Sequence, residues 1–306
     1  MLKMFPKLDE DLLVKLFHKG VKSQWTVDDV EWDRPVQFTP EQARALGRLL
    51  SPVYLGEQSA MIGASVALPQ VAMAGETSAQ LYLSSFMMDE ARHFEVLTRL
   101  YHRLDIQPVH LREMPEMLQY HNRLRKGDRI DWVWGILISD IFAKNFYQSF
   151  AKSQPEALFG KLSSRILQDE SRHQAFAEHY LKRAMPNLPP ERIDVLMDMR
   201  DDLLRIMDAM YQRLNDDAEA IGLDGRQFLD NLRAEIERKA KRIGLDPSSS
   251  GGEASSSRRR VQVASGPLRS RASDLSHKFR ALAKNRCDSC FVSLLCRSRL
   301  VLAACR

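Results

Sequence analysis

The chain has 306 residues, 44% of them hydrophobic, which is room for one large domain or two ordinary ones around a substantial core. No run of eighteen apolar residues occurs, which argues against a membrane-spanning helix. The net charge of +5 is uneven: residues 251–306 hold twelve Lys or Arg against three acids, so that segment carries +9 and the rest −4, and a nucleic-acid reading would rest on the tail alone.

Helix follows helix over 1–245, with candidates at about 8–19, 39–50, 52–72, 78–104, 130–153, 155–184, 190–221 and 225–243. Period-two alternation and Asn-Gly hairpins are missing, so strands are not expected. The opening Met1-Leu-Lys-Met-Phe-Pro has no long apolar run, so a secretory signal is not supported. Thr39, Pro40 and Glu41 supply a helix start. Ser51-Pro52 reads either as another start or as a kink in one longer helix. Gly244 and Pro247 close the last helix. Residues 248–273 are rich in Ser, Gly and Arg and read as linker. A short helix is possible at 274–284. The end, Leu300 to Arg306, reads as non-native sequence or as a short amphipathic segment. The expectation is one helical domain over 1–245, with its core bundle at about 50–184, and a basic Ser/Arg-rich tail over 246–306, disordered or non-native. All four cysteines, Cys287, Cys290, Cys296 and Cys305, lie in that tail. The body needs no disulfide, and a reducing cytoplasm suits it. Cys287 and Cys290 form a C-x-x-C without a second pair or a His at finger spacing, a weak zinc signal.

One pattern occurs twice: Asp89-Glu90-Ala91-Arg92-His93 and Asp169-Glu170-Ser171-Arg172-His173. Both copies are D-E-x-R-H inside strongly helical stretches. Glu and His three apart share a helix face and can reach one ion. Phe86, Glu90, His93, Leu97, Leu100 and Leu104 form one apolar seam, and Ile166, Glu170, His173, Ala177 and Tyr180 another. Each Glu-x-x-His pair is therefore expected to face the core. Buried carboxylates need compensating charge, which a divalent metal cluster supplies.

Two-metal bundles add one carboxylate from each of two further helices. Glu57 is isolated on the seam Val53, Glu57, Ala60, Ala64 and lies 33 residues before Glu90. Asp140 is isolated on the seam Val133, Ile136, Asp140, Ala143, Tyr147 and lies 30 residues before Glu170. A single D-E-x-R-H is usually a solvated face with local ion pairs. Two copies on inward seams, each with an isolated acid in its companion helix, favour the metal site.

The order carboxylate, E-x-x-H, carboxylate, E-x-x-H over about 50–180 resembles the ferritin-like superfamily of di-iron proteins. The D-E-x-R-H form is similar to its oxygen-activating members: bacterial multicomponent monooxygenase hydroxylases, the small subunit of ribonucleotide reductase, and R2-like oxidases and N-oxygenases. The resemblance implies an all-α fold, a ferritin-like four-helix bundle core with additional flanking helices. It implies Glu57, Glu90, His93, Asp140, Glu170 and His173 as metal ligands, with Glu90 and Glu170 able to bridge. Asp89 and Asp169 would orient the imidazoles, and Arg92 and Arg172 would pair with those aspartates across the helix interface. The third helix usually offers Glu where this chain has Asp140.

The implied cofactor is two iron ions (Fe2+/Fe3+), or Mn/Fe, since carboxylate and imidazole suit these metals. The implied activity is an O2-activating monooxygenase or oxidase of a small organic substrate. Its electrons would come from a reductase or ferredoxin, because no flavin or dinucleotide motif is visible. Alternatives are a ribonucleotide-reductase-like radical subunit, a ferroxidase or iron-binding protein, and a bundle that binds metal without turnover. The usual radical tyrosine lies four residues after the first His, and here that position is Leu97. A homodimer is possible. Ala60, Ala64, Ala143 and Ala177 fit a cavity lining or close packing. Tyr54, Tyr147 and Tyr180 read as core residues more than as redox groups. Gln24 to Trp32 resembles the R2-like N-terminal segment that packs over the bundle, with plain packing as its expected role. His102, His110, His121 and His179 fit no seam and read as surface or cap residues.

Overall fold

The computed structural model describes residues 8, 12–125 and 127–245. The readings of the basic tail and of Cys287 and Cys290 lie outside these residues. Eight α-helices account for the described fold: α1 (Leu12–Lys22), α2 (Pro40–Ala74), α3 (Thr77–Leu104), α4 (Pro115–Leu124), α5 (Arg129–Ser153), α6 (Leu158–Ala184), α7 (Pro190–Ala220) and α8 (Gly225–Ile243). No strand occurs among the described residues. No helix among them is long and apolar enough to cross a membrane.

Helices α2, α3, α5 and α6 form the central bundle. The pairs α2–α3 and α5–α6 are hairpins, and α2 runs antiparallel to α5: Gly63 meets Trp132, while Glu57, earlier on α2, meets Tyr147, later on α5. The connection from α3 to α5 therefore travels the length of the bundle, and α4 lies within it. Three flanking elements cover three sides. Helix α1 packs on α3 and α6, α8 on α5 and α6, and α7 on α2 and α5 together with α4. This is the ferritin-like arrangement with flanking helices.

The caps follow the local chemistry. Thr39 and Gln42 form a reciprocal capping box at the start of α2. Gly75 and Gly244 end α2 and α8 in the left-handed conformation.

Two readings need correction. The segments 39–50 and 52–72 are one helix, so the kink alternative at Ser51-Pro52 is nearer than a second start. An interior proline costs about 3 kcal/mol. Burial of Leu46, Leu50 and Val53 around it offsets that cost. Ser51 also pins the place, its Oγ donating to Gly47 O (2.8 Å) and accepting from Val109 N (2.8 Å). The second correction is α4, to which the sequence reading assigned no element. It is only 10 residues long. Its stability comes from contacts to α7, α2 and α5 rather than from its own periodicity.

Gly63 sets the closeness of α2 and α5. A Cβ there would overlap the ring of Trp132, which is 0% exposed and has nowhere to go. Gly63→Val should therefore destabilise the fold by about 1–3 kcal/mol through overpacking. The check is a urea titration, with a lowered midpoint at unchanged slope expected. An unchanged midpoint would mean that this contact does not limit the helix spacing.

Candidate metal centre

The sequence repeat places each Glu-x-x-His pair one helical turn apart on the inner faces of α3 and α6, and α2 and α5 bring one acid each. All six side chains are buried: His93 is 0% exposed, His173 1%, Glu90 and Glu170 2%, Glu57 4% and Asp140 5%.

They converge in two overlapping groups. Donor atoms of Glu57, Glu90, His93 and Glu170 lie within 4.8 Å of one another, as do those of Asp140, Glu170 and His173. Glu170 belongs to both. Glu90 spans them too, since its Oε1 lies 3.0 Å from His173 Nδ1. His93 Nδ1 lies 3.5 Å from both Glu57 Oε2 and Glu170 Oε1. The shorter arm of Asp140 therefore still reaches the cluster.

Five atoms here are buried without a hydrogen-bond partner: Glu90 Oε1, His93 Nδ1, Asp140 Oδ2, Glu170 Oε2 and His173 Nδ1. Orphaned buried polar atoms cost free energy and are rare. Five at one place, close together but misaligned for hydrogen bonding, form a donor set for cations. Four carboxylates, if ionised, carry four negative charges, and two divalent ions would neutralise them. Without such ions, burial pushes Glu90 and Asp140 well above the usual carboxylate range, reinforced by the charge of Glu57 at the first and of Glu170 at the second. Burial disfavours protonated His93, but Asp169 and Glu57 outweigh it and raise its pKa well above the ordinary value. His173 is raised likewise, against the effect of burial, with Asp89, Glu170 and Glu90 among its neighbours.

Behind the histidines lies a closed network. His93 Nε2 faces Asp169 Oδ2 (3.1 Å) and His173 Nε2 faces Asp89 Oδ2 (3.4 Å), so each helix's aspartate serves the other helix's histidine. Nδ1 of each ring is left pointing inward, the orientation that metal-binding histidines take when a carboxylate holds their other nitrogen. Arg92 donates to Asp89 Oδ1 (2.6 Å) and Asp169 Oδ2 (2.8 Å), and Arg172 to Asp89 Oδ2 (2.9 Å) and Asp169 Oδ1 (2.6 Å). Burial raises both aspartates, but the histidine and arginine contacts outweigh it and hold them well below the usual carboxylate range.

The sequence reading missed two members of this network. Trp25 Nε1 donates to Asp169 Oδ2 (2.8 Å), and its ring carries the Arg92 guanidinium 4.7 Å from its centroid. Gln24 donates to Asp89 Oδ1 (3.1 Å) and accepts from Arg92 (2.6 Å). Plain packing therefore understates this segment. Its polar atoms close the network, and only the Gln-Trp pair before the next helix signals it.

On the opposite side the carboxylates open onto a cleft. Its floor is Glu57, Glu90, Asp140 and Glu170, and its walls are mostly apolar, including Val53, Leu55, Phe142, Met117, Met207 and Met210. It leaves about 70 Å³ for the centres of water-sized spheres, several times what one water needs. Ala60 and Ala143 line it, whereas Ala64 and Ala177 are packed away. Helix α4 covers it with Met117 and Tyr120, held by Tyr120 Oη to Ser139 Oγ (2.9 Å) and His121 Nδ1 to Ser59 Oγ (3.0 Å). His121, half-buried, thus helps to secure the cover of the cleft. Tyr147 donates to Glu57 Oε1 (3.2 Å) and touches the cluster directly. Tyr54 bonds Thr98, and Tyr180 bonds Glu76 and Arg129, away from it.

The chain matches no family model and no curated protein. Among solved structures it is similar to R2-like ligand-binding oxidases. A variant with an anaerobically reconstituted Mn/Fe cofactor aligns with a TM-score of 0.65 and 17% identity over 79% of this chain and 96% of that one. A second gives 0.63 and 18% over 78% and 95%. An aerobically reconstituted variant gives 0.61 and 17% over 78% and 100%. At this identity the likeness establishes the fold.

Removing one cation from the network should leave buried carboxylate charge uncompensated. Arg172→Leu is expected to cost about 3–5 kcal/mol, and Trp25→Phe, which removes one hydrogen bond to a charged acceptor, about 1.5–3 kcal/mol. Chemical denaturation of both variants checks the order. Equal, negligible losses would show that the network does not hold α3 against α6.

Proposed function

We propose that this chain is an O2-activating oxidoreductase holding two redox metals, two irons or manganese with iron, and acting on an apolar organic substrate in the adjacent cleft. The observation that carries this reading is the set of five orphaned donor atoms in one cluster whose carboxylates form the floor of an apolar cleft. Glu57, Glu90 and His93 would hold one ion, Asp140, Glu170 and His173 the other, with Glu90 and Glu170 shared. The R2-like oxidases whose fold the chain shares carry a Mn/Fe cofactor, which supports the same metals here. Such a metal pair, when bound, supplies the electrons that open O2 to two-electron chemistry.

The rest of the work falls to the chain. Asp89 and Asp169 fix the imidazole orientation, so the metal-facing nitrogens are set before any ion arrives. Tyr147 restrains Glu57. The apolar walls exclude water and select a substrate without charge near its reacting carbon. In a monooxygenase turnover one oxygen atom would enter a C–H bond and the other would leave as water. That stoichiometry takes two electrons and two protons from outside, which a separate reductase or ferredoxin would provide. The cysteine-free body suits the cytoplasm. A radical subunit is less well supported, with Leu97 at the radical position and 0% exposed. Iron storage gives the apolar cleft no role.

The reading is tested by reconstituting the protein anaerobically with Fe2+, with and without Mn2+, and exposing it to O2. About two metals per chain and a transient optical band are expected, and Glu90→Ala/Glu170→Ala should lose both. Wild type without stoichiometric metal would overturn the proposal. Because Glu90, Asp140, His93 and His173 all have raised pKa values in the metal-free chain, they hold protons that metal must displace. Metal uptake should therefore release protons and strengthen as pH rises, as read with a pH indicator in weak buffer. Ala143→Phe should keep the two metals yet abolish turnover of any substrate that the wild type accepts. Undiminished turnover would remove the cleft from the mechanism.

A further inference from the structure

Oxygen chemistry in the cleft takes two protons per turnover, and walls that exclude bulk water also keep protons out. Their route must therefore be built from polar side chains. Above the carboxylate floor, the described polar side chains lining the cleft are Ser59, Tyr120 and Ser139. Two of them lead nowhere. Tyr120 and Ser139 bond each other (2.9 Å) and both turn to Gly135 O (3.4 and 3.1 Å), a carbonyl that can only accept. Burial also pushes the Tyr120 phenol well above its ordinary range. Ser59 behaves differently. Eight other helical serines, Ser51 and Ser139 among them, donate to a carbonyl three or four residues back in their own helix. Ser59 turns its Oγ across to α4 and meets His121 Nδ1 at 3.0 Å. The His121 ring is half-buried, so it stands between the cleft and solvent. Imidazole is also the side chain whose charge changes near neutral pH.

We propose that the His121–Ser59 pair is the proton inlet of the cleft, a reading that rests on the oxygen chemistry proposed above. One passage moves one proton. Imidazolium Nδ1 gives its proton to Ser59 Oγ, and Ser59 gives its own to water in the cleft. The ring, now neutral with its proton on Nε2, turns about Cβ–Cγ to take another from solvent. Two passages supply the two protons that balance the release of water, alongside the two electrons from the reductase or ferredoxin. Ser59 and the four carboxylates line the same cleft, whose space of about 70 Å³ holds the few waters that cross from roof to floor. The surroundings leave the ring free to titrate. Burial, then the charge of Arg125 on the same helix, holds its pKa below the usual histidine value. Helix α7 turns Asp202 and Arg213 toward α4, and these are paired with Arg123 and Glu116. Helix α2 presents Ser59, and α5 presents the Trp132 ring at 6.2 Å, neither of them charged. A lowered pKa makes the imidazolium the stronger acid, which suits a group that must hand its proton on. A plain pin for α4 would need the hydrogen bond and not the titration.

His121→Asn separates these two roles, because its amide can bond Ser59 but cannot titrate. The full chain is reconstituted anaerobically with Fe2+ and mixed with O2, and the decay of the transient optical band is followed by stopped flow against pH, in H2O and D2O. In wild type the decay should slow as pH rises through the His121 pKa, and slow again in D2O. His121→Asn should keep the wild-type metal content and urea midpoint, decay at least ~10-fold more slowly and lose that pH dependence. In His121→Ala, added imidazole should restore the rate, a result that a structural pin could not give. The metal-free chain provides a separate reading. There the His121 ring should titrate by NMR below the ordinary histidine range, and Ser59→Ala should shift its Nδ1 signal. A ring that never titrates, or a wild-type band whose decay is indifferent to His121→Asn, would overturn the relay and leave the oxygen chemistry standing. Wild type without metal or band would overturn both.

Discussion

The arrangement depends on four buried charges that cancel. Asp89, Arg92, Asp169 and Arg172 are each at most 8% exposed, and each arginine touches both aspartates. Burying an ion costs several kcal/mol, and only well-formed pairs offset that cost. Here the geometry comes from the repeat: the same five-residue pattern on two antiparallel helices puts each Asp opposite the other helix's Arg and His. The quartet therefore fixes the register of α3 against α6. A slip of one residue would break every contact at once. It also fixes both imidazoles, because their Nε2 atoms have nowhere else to turn.

Pairing in the quartet leaves none of its charge for the centre. The carboxylates of Glu57, Glu90, Asp140 and Glu170 must find their compensation elsewhere, from protons or from cations. In the metal-free chain burial and neighbouring carboxylate charge raise Glu90 and Asp140 toward the protonated form, while His93 holds Glu57 below the usual range against the effect of burial. The fold has thus separated two jobs that use the same residue types. Aspartates next to arginines stay ionised and hold structure. Carboxylates without an arginine in reach stay available.

Much of this was legible in the sequence. The two Glu-x-x-His pairs, their inward seams and the lone acids Glu57 and Asp140 could be read because helical periodicity and burial are local properties of the chain. The reading failed where geometry is tertiary. Helix α4 is too short for periodicity to reveal, and its register comes from Met117 and Tyr120 packing over the cleft. The role of Trp25 depends on an indole meeting an aspartate 144 positions away, a pairing that no spacing rule encodes. Tyr147 was visible on the Asp140 seam, but its bond is to Glu57 across the bundle. The continuity of α2 through Pro52 was ambiguous because a proline marks a start or a kink equally well until burial on both sides is known.

The centre is consequently two-faced. On the α3–α6 side, imidazoles, quartet, Gln24, Trp25 and α1 form a layer in which every carboxylate oxygen of Asp89 and Asp169 and both imidazole Nε2 atoms have a partner. On the α2–α5 side the cleft touches four carboxylates and neither histidine. Carboxylates can bind an ion through one oxygen or two at little cost, and imidazoles cannot. The groups able to change their grip therefore face the space where a substrate would lie, and the groups unable to do so are locked behind. Asp140 strengthens this asymmetry. Its arm is one methylene shorter than a glutamate's, and its Oδ2 is buried with no partner. The same chain thus builds a rigid wall and an adjustable one around a single cluster, and the difference between them follows from which carboxylates have an arginine within reach.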